Sequence, residues 1–369
     1  MSTKIKATKE TKEVHTIKGL FVDINRTDLL MFTRELKTVL ESGLDIISGL
    51  NMMKLQTQKK AFNDILDDIL LSLKKGHPLS KSLSSFAWLF NSVYIGLIRA
   101  GEYNGDLPGA LRNLEYLLER EIAMKRRISQ AMIYPSTAFF ICVVFTFITF
   151  KYLLPSMLEF LTSSGNALPL PTVILISITK FMTYPWTPPA LIGAALAIVL
   201  LFKSYTNMPK GRYAFHKFLM AFPFIGTLLK KIAYINITNT LATLLSSGVA
   251  LSRAVKLAGE TSGNAVFELS CSQAVDSISE GVPLSVFIKK NPELYGKMFA
   301  SMLAIGEEAG SVPEIAEKLT ELYEVDVSND LAAIGVVIEP VLIAVTGLII
   351  GFVMVGVFLP LYSTISNLG

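Results

Sequence analysis

Two loops of the sequence share a residue pattern at a constant offset of 205 positions. The shared positions are two glycines, a glutamate and a proline: Gly101 and Gly306, Glu102 and Glu307, Gly105 and Gly310, Pro108 and Pro313. The same offset aligns Gly76–Ser80 with Gly281–Ser285, and no gap is needed over about a hundred residues, which indicates an internal duplication. The chain is therefore predicted to contain two copies of one structural unit.

The composition predicts a protein that lies partly in a membrane. Hydrophobic residues make up 51% of the chain and charged residues 17%, whereas a soluble domain has about 25% charged residues. Three apolar stretches, residues 131–154, 184–203 and 338–361, have roughly the 20 residues that a helix needs to cross a bilayer. Each is predicted to be a transmembrane helix.

Basic residues orient these stretches. Positive clusters precede the first stretch and follow the second: Lys125, Arg126, Arg127, Lys203, Lys210 and Arg212. Because cytoplasmic loops carry an excess of lysine and arginine, the N-terminus is predicted to be cytoplasmic. Residues 155–183 then form an extracytoplasmic loop with a short interfacial helix, and residues 362–369 an extracytoplasmic tail. Residues 1–26 are basic and lack an apolar stretch, so they are predicted to be a disordered tail.

The segments between the apolar stretches have a helical pattern. Apolar residues recur at three- and four-residue steps, as at Leu29, Phe32 and Leu36, and no strand-like alternation is present. Residues 27–130 and 204–335 are therefore predicted to be two duplicated cytoplasmic helical bundles of about five to six helices each. The fold class is all-α, with the three transmembrane helices added. The first helix is expected to be capped by Thr27 or Asp28.

Each repeat is predicted to enter the membrane at a proline. The residues concerned are Tyr134 and Pro135 in the first repeat and Glu339 and Pro340 in the second. Each proline is expected in the first turn of its membrane helix, where the missing amide hydrogen is tolerated. Further along the third stretch, Gly347 and Gly351 form a GxxxG pattern that permits close packing between helices.

The duplicated loop has three interpretations. A phosphate-binding loop needs GxxxxGK[ST] or GxGxxG after a strand, and neither pattern occurs in the sequence. A calcium loop needs about five oxygen ligands, and the acidic residues are sparse and differ between the two copies. The third interpretation is a tight corner between two helices, with Gly105 and Gly310 in the left-handed conformation, Asp106 as an N-cap, and Ser311 with Glu314 as a capping box. Glu102 and Glu307 remain candidates for binding a cation or a partner's basic residue.

No residue pattern in the sequence indicates catalysis, a cofactor or a metal. There is no HExxH motif, and Cys142 and Cys271 lack the spacing of a zinc site. The net charge of +4 is too weak to indicate nucleic-acid binding. The chain is therefore predicted not to be an enzyme.

Several stretches in order resemble the inner-membrane platform proteins of type IV pilus and type II secretion machines, the GspF/PilC family. They include "FTRELKTVLESGLDI", "LATLLSSGVALSRAV", "KRRISQAMIYPS", "MPKGRYAFHKFLMAFPFIGTLLKKIA" and "IEPVLIAVTGLIIGFVMVGVFLPLYS". The resemblance covers nearly everything after about residue 27.

The resemblance implies a bacterial inner-membrane scaffold that works between a cytoplasmic hexameric ATPase and pilins or pseudopilins. It also implies a homo-oligomer in contact with membrane lipid and with other inner-membrane alignment proteins, without nucleic acid or a cofactor. The alternative is a transporter or channel subunit that functions as an oligomer. That alternative is disfavoured because the apolar stretches lack charged stripes and because parallel repeats differ from the inverted repeats of many transporters.

Overall fold

The computed structural model describes residues 24–56, 59–157 and 169–366. Within these residues the regular secondary structure is helical and no strand is present, so the all-α prediction is confirmed. Residues 1–23 of the predicted tail, residues 158–168 of the predicted loop and residues 367–369 lie outside the described part.

The first repeat begins with five helices and a long sixth one. They are α1 (Arg26–Glu41), α2 (Ile46–Gln56), α3 (Lys60–Lys74), α4 (Leu79–Ser84), α5 (Ser92–Asn104) and α6 (Leu107–Ile148). The apolar faces of these helices meet in a core that contains Leu36, Leu66 and Phe90, all with no exposed surface. The periodic apolar residues of the sequence therefore face the bundle interior.

Two apolar helices and then the second repeat follow. The helices are α7 (Leu170–Thr183), α8 (Thr187–Asn207), α9 (Pro209–Ala221), α10 (Pro223–Ser246), α11 (Leu251–Thr261), α12 (Ala265–Ser279), α13 (Leu284–Lys289), α14 (Pro292–Tyr295), α15 (Lys297–Glu308) and α16 (Val312–Ser366). A short π-helical segment, Thr149–Leu153, continues α6 in the first repeat.

The two repeats have matching helix boundaries at the offset seen in the sequence. Helices α2, α3 and α4 recur as α11, α12 and α13 with identical offsets at both ends, and the start of α16 has the same offset from the start of α6. Three glycine pairs end the preceding helices with positive φ: Gly43 and Gly248 (83° and 81°), Gly76 and Gly281 (80° and 83°), Gly105 and Gly310 (72° and 67°). Glycine lacks the Cβ that disfavours this conformation, which explains why these positions match.

The first helix begins earlier than predicted. Asn25 is its N-cap: the Asn25 side chain accepts from the Asp28 amide at 2.9 Å, and the Asp28 carboxylate accepts from the Asn25 amide at 2.8 Å. Asp28 thus lies at the third helical position and completes a capping box. The expectation that Thr27 or Asp28 would be the cap is wrong.

The described parts of Met1–Arg126 and Tyr213–Val327 form one compact unit. In this unit α5 of the first repeat contacts α11 of the second. Ser247 lies at the same contact: its carbonyl oxygen accepts from Asn104 Nδ2 at 3.3 Å, and its hydroxyl accepts from Asn113 Nδ2 at 2.8 Å. The two helical bundles are therefore joined by helix packing and by side-chain hydrogen bonds.

The described parts of Arg127–Arg212 and Ser328–Gly369 form a second unit. Its buried cluster contains Phe150, Leu154, Leu175 and Val357. The hydroxyl of Thr172 on α7 donates to the Gly356 carbonyl on α16 at 2.7 Å. Helix α7 is thus fixed against α16 by one apolar cluster and one hydrogen bond.

Within the described residues, two helical stretches are long and apolar enough to cross a membrane, Leu107–Met157 and Val312–Leu359. They contain the predicted spans 131–154 and most of 338–361. The third predicted span, residues 184–203, coincides largely with the 21-residue helix α8, and its crossing of the membrane stays a prediction.

The bent pair α9 and α10 is also apolar enough by composition to be considered as one broken span. The second half of α10 is buried in the core of the first unit, which argues against a membrane span there.

The two prolines do not start their membrane helices. Pro135 lies inside α6, and Pro340 lies inside α16. The first-turn expectation is therefore wrong, because each helix is already formed many residues upstream. Proline within a membrane helix is tolerated when neighbouring groups satisfy the freed carbonyl.

Cys271 offers a probe of unfolding of the first unit. Its side chain is 3% exposed, and burial raises its pKa to about 12, partly opposed by the Tyr295 hydroxyl at 3.9 Å. Because the thiolate is the reactive form, we expect N-ethylmaleimide at pH 8 to label Cys271 only after unfolding. Peptide mass spectrometry with and without denaturant measures this, and equal labelling rates in both conditions would contradict the prediction.

Candidate functional site

The duplicated loop is a tight corner between two helices in the first repeat. Helix α5 ends at Asn104, and Gly105 reverses the chain with φ of 72°. Asp106 precedes α6, and its Oδ1 accepts from the Gly109 amide at 2.8 Å. Pro108 lies in the first turn of α6, where its missing amide hydrogen costs no helical bond.

The corner of the second repeat has the same geometry. Helix α15 ends at Glu308, and Gly310 has φ of 67°. The Ser311 amide donates to the Gly306 carbonyl at 2.8 Å, which closes the end of α15 in the manner of a Schellman motif. Helix α16 then begins at Val312 with Pro313 in its first turn.

Gly101 and Gly306 let the two helices of each corner approach closely. A Cβ built on Gly101 would lie 2.5 Å from the Ala110 Cβ and 2.9 Å from the Asp106 carbonyl oxygen. A Cβ on Gly306 would lie 3.0 Å from the Ile315 Cβ. Both glycines are buried, so each marks a helix contact with no room for a side chain.

Glu102 and Glu307 cap a short helix in their own repeats. The Glu307 oxygens accept from the Leu284 and Ser285 amides of α13 at 2.6 and 2.8 Å. The Glu102 oxygens accept from the Ser80 amide of α4, both at 3.3 Å. Exposed amides and the helix dipole favour a negative charge at a helix N-terminus. The two carboxylates therefore tie the corner to the short helix that starts after Pro78 or Pro283.

No group of three or more acidic, histidine or cysteine side chains with metal-binding geometry occurs in the described residues. The geometry of the corner is thus that of a packed joint between helices, built from a close-contact glycine, a capping glutamate, a left-handed glycine and a proline.

The family model for type II secretion system protein F matches residues 32–155 and matches again over residues 237–360. The two matches have the same offset as the duplicated loops and together cover more than half of the chain. The chain belongs to the type II secretion system protein F family.

Curated relatives of this protein F family chain serve two kinds of machine. The type IV pilus assembly protein PilC of Thermus thermophilus is 33% identical over 341 residues, covering 92% of this chain and 83% of the relative. The type IV pilus assembly protein TapC of Aeromonas hydrophila is 26% identical over 93% of this chain and 84% of its own. The type II secretion system protein F of Pseudomonas aeruginosa is 26% identical over 92% of this chain and 83% of its own. The predicted family resemblance is confirmed.

The residues predicted to mark entry into the membrane also lie within the two family matches. Glu339 and Pro340 lie within α16, just as Tyr134 and Pro135 lie within α6. Whether the family repeats enter the membrane at these residues stays a prediction.

Gly347 and Gly351 are exposed on α16, and a Cβ at either would meet nothing within 4 Å. Among the described residues, no other helix packs against Gly347 or Gly351. The packed glycine of the same helix is Gly356, where a Cβ would lie 3.1 Å from Leu175 Cδ2. Sequence reasoning missed Gly356 because no spacing pattern connects it to α7.

The unequal hydrogen bonds of the two capping glutamates lead to a prediction. We expect Glu307→Ala to lower the free energy of unfolding by about 1–2 kcal/mol, because two short charge-assisted bonds to helix amides are lost. Glu102→Ala should cost less, because its contacts are longer. Thermal unfolding of the detergent-solubilised protein measures both, with Glu308→Ala at an exposed neighbouring position as the matched control. Equal effects of all three substitutions would contradict the capping role.

Proposed function

We propose that this chain is an inner-membrane platform protein of a type IV pilus or type II secretion machine. It couples a cytoplasmic hexameric ATPase to the polymerisation of pilins or pseudopilins. The observation that carries the proposal is the family match over both repeats, together with relatives named for both machines across more than nine-tenths of this chain. The role is that of a scaffold rather than of an enzyme.

The structure supports a mechanical role through its two long helices. Helix α6 begins among the buried residues of the first helical bundle and continues for 42 residues into the apolar stretch. Helix α16 does the same over 55 residues in the second repeat. Because each helix continues past its proline without a loop, a force on the soluble bundle would be passed along the helix axis to the apolar stretch.

The proposed topology places both bundles in the cytoplasm, with three crossings of the inner membrane and residues 155–183 outside. Reporter fusions test it: fusions after Leu154 and after Leu361 should report an external position, and a fusion near Gly248 a cytoplasmic one. A cytoplasmic signal after Leu154 would contradict the topology.

Deletion of the protein tests the function itself. We expect deletion in the host to abolish filament assembly or secretion by its machine, and a plasmid copy to restore it. Affinity purification from host membranes should recover a hexameric ATPase, pilin-like subunits and other inner-membrane alignment proteins. A strain that keeps its filaments and its secretion but loses a solute flux would instead support a transporter or channel subunit.

A further inference from the structure

Part of the contact between the two repeats is built from helices that are not equivalent. There the first repeat contributes α5, and the second contributes α10, α11 and the turn between them. At the centre of this contact a Cβ built on Gly96 would lie 3.2 Å from Leu257 Cδ1, and Leu257 is 5% exposed. This part of the pairing is therefore head-to-tail, because the helix that the first repeat contributes is not the equivalent of those that the second contributes. The equivalent helices also meet, since Tyr116 and Arg120 on α6 contact Glu317 and Glu324 on α16.

Since both repeats have the same fold, each possesses both faces, and among the described residues the internal pairing leaves one face of each repeat uncovered. The unused face of the first repeat is α2, where Met52 occupies the position of Leu257. The unused face of the second repeat is α15, where Ser301 occupies the position of Gly96. Both counterparts are exposed: Met52 is 47% accessible, and Ser301 also belongs to the exposed surface.

The two unused faces each expose apolar side chains among polar ones. Leu44 and Leu55 flank Met52 on the first repeat and are 43% and 89% exposed. Ile305 lies one helical turn after Ser301 and is 55% exposed. Terminal units of a stacked repeat array normally carry a polar outer face to stay soluble, whereas Met52, Leu55 and Ile305 are large apolar side chains exposed to solvent.

Polar groups at the edge of these faces also complement each other. The counterpart of Ser247 is Ser42, which follows Glu41, and the counterpart of Asn113 is Lys318. Within the chain, Glu41 bonds Arg112 at 2.8 Å and Lys318 bonds Glu321 at 3.0 Å, and both are surface ion pairs that can rearrange at low cost. An exchange of these partners would pair Lys318 of one face with Glu41 of the other.

We propose that a second copy of this chain docks here, with α2 of one copy packed against α15 of the next in the manner of the internal contact. This inference rests on the proposed function, which takes the platform to be a homo-oligomer. What it adds is the pair of helices through which the copies meet. Such an interface is heterologous, so it closes into a ring or continues as a filament.

Cysteine crosslinking in native membranes tests the interface. In a Cys142→Ala, Cys271→Ala background, we expect Met52→Cys combined with Ser301→Cys to give products of two and more chains with a short bismaleimide. Neither single substitution should do so alone. When the two single variants are co-expressed with different tags, the crosslinked product should carry both tags.

The internal contact provides the matched control. Asn104→Cys with Ser247→Cys, at the accessible edge of that contact, should crosslink within one chain, seen as a linked peptide pair without a change in chain number. Crosslinking of Met52→Cys alone would overturn the proposal by showing a symmetric interface. No product from the double variant would overturn it as well, whether native mass measurement then shows a monomer or an oligomer. Filament assembly that persists in that case leaves the platform role intact, so the two proposals fail separately.

Discussion

Gly101→Ala is expected to lower the melting temperature of the protein by several degrees. The added methyl would lie 2.5 Å from the Ala110 Cβ and 2.9 Å from the Asp106 carbonyl oxygen. Neither atom can rotate away, because one is fixed to the first turns of α6 and the other belongs to the backbone. Overpacking of this kind costs about 1–3 kcal/mol, which exceeds the gain of up to about 1 kcal/mol from replacing a helical glycine by alanine.

The second repeat supplies an internal comparison for Gly101→Ala. A methyl at Gly306 would lie 3.0 Å from the Ile315 Cβ and 3.3 Å from the Val312 Cα, so Gly306→Ala should be milder. Gly335→Ala is the control, because a Cβ there meets nothing within 4 Å. Thermal unfolding in detergent, followed by circular dichroism, ranks the three variants. A melting temperature of Gly101→Ala equal to that of Gly335→Ala would show that the corner does not depend on close approach.

Gly226→Ala is expected to have a larger effect. Helices α9 and α10 meet at an angle of 119°, and a Cβ on Gly226 would lie 2.2 Å from the Met220 carbonyl oxygen and 2.7 Å from its carbon. Both atoms are backbone, so the substitution must open the corner. We expect a loss at the upper end of the overpacking range, about 3 kcal/mol.

Opening this corner has a local consequence that can be measured. His216 on α9 accepts a hydrogen bond from the Ala265 amide at the start of α12, at 2.8 Å. Helix α12 carries Cys271, so Gly226→Ala should speed the labelling of Cys271 by N-ethylmaleimide without denaturant. Gly193→Ala, at a position with nothing within 4 Å, serves as the control. Unchanged protection of Cys271 in the Gly226→Ala protein would contradict this account.

The sequence predicted those features that depend on local rules. The duplication, its register and the left-handed glycines follow from glycine and proline spacing, which act within a few residues. It did not predict that Pro135 and Pro340 lie far inside continuous helices, because helix formation upstream depends on packing of the whole bundle. Asn25 was missed as a cap because Thr27 and Asp28 have equally suitable side chains.

Contacts between distant segments could not be predicted from the pattern. The hydrogen bond from Thr172 to the Gly356 carbonyl joins residues 184 positions apart. The capping contacts of Glu102 and Glu307 join residues 22 or 23 positions apart, and the sequence left a cation or a basic partner open for them. Such contacts depend on which helices become neighbours, which periodicity within one helix does not determine.

Helices α6 and α16 are continuous, so the direction in which each of their residues points around the helix axis depends on its position in the sequence. Pro135 and Pro340 occupy the same place in their helices, each about eight helical turns after the helix begins. With about 3.6 residues per turn, adding a single residue between these points would turn everything downstream by about 100°. Because no loop intervenes within either helix, such an insertion would change which downstream residues share a helix face with the upstream ones.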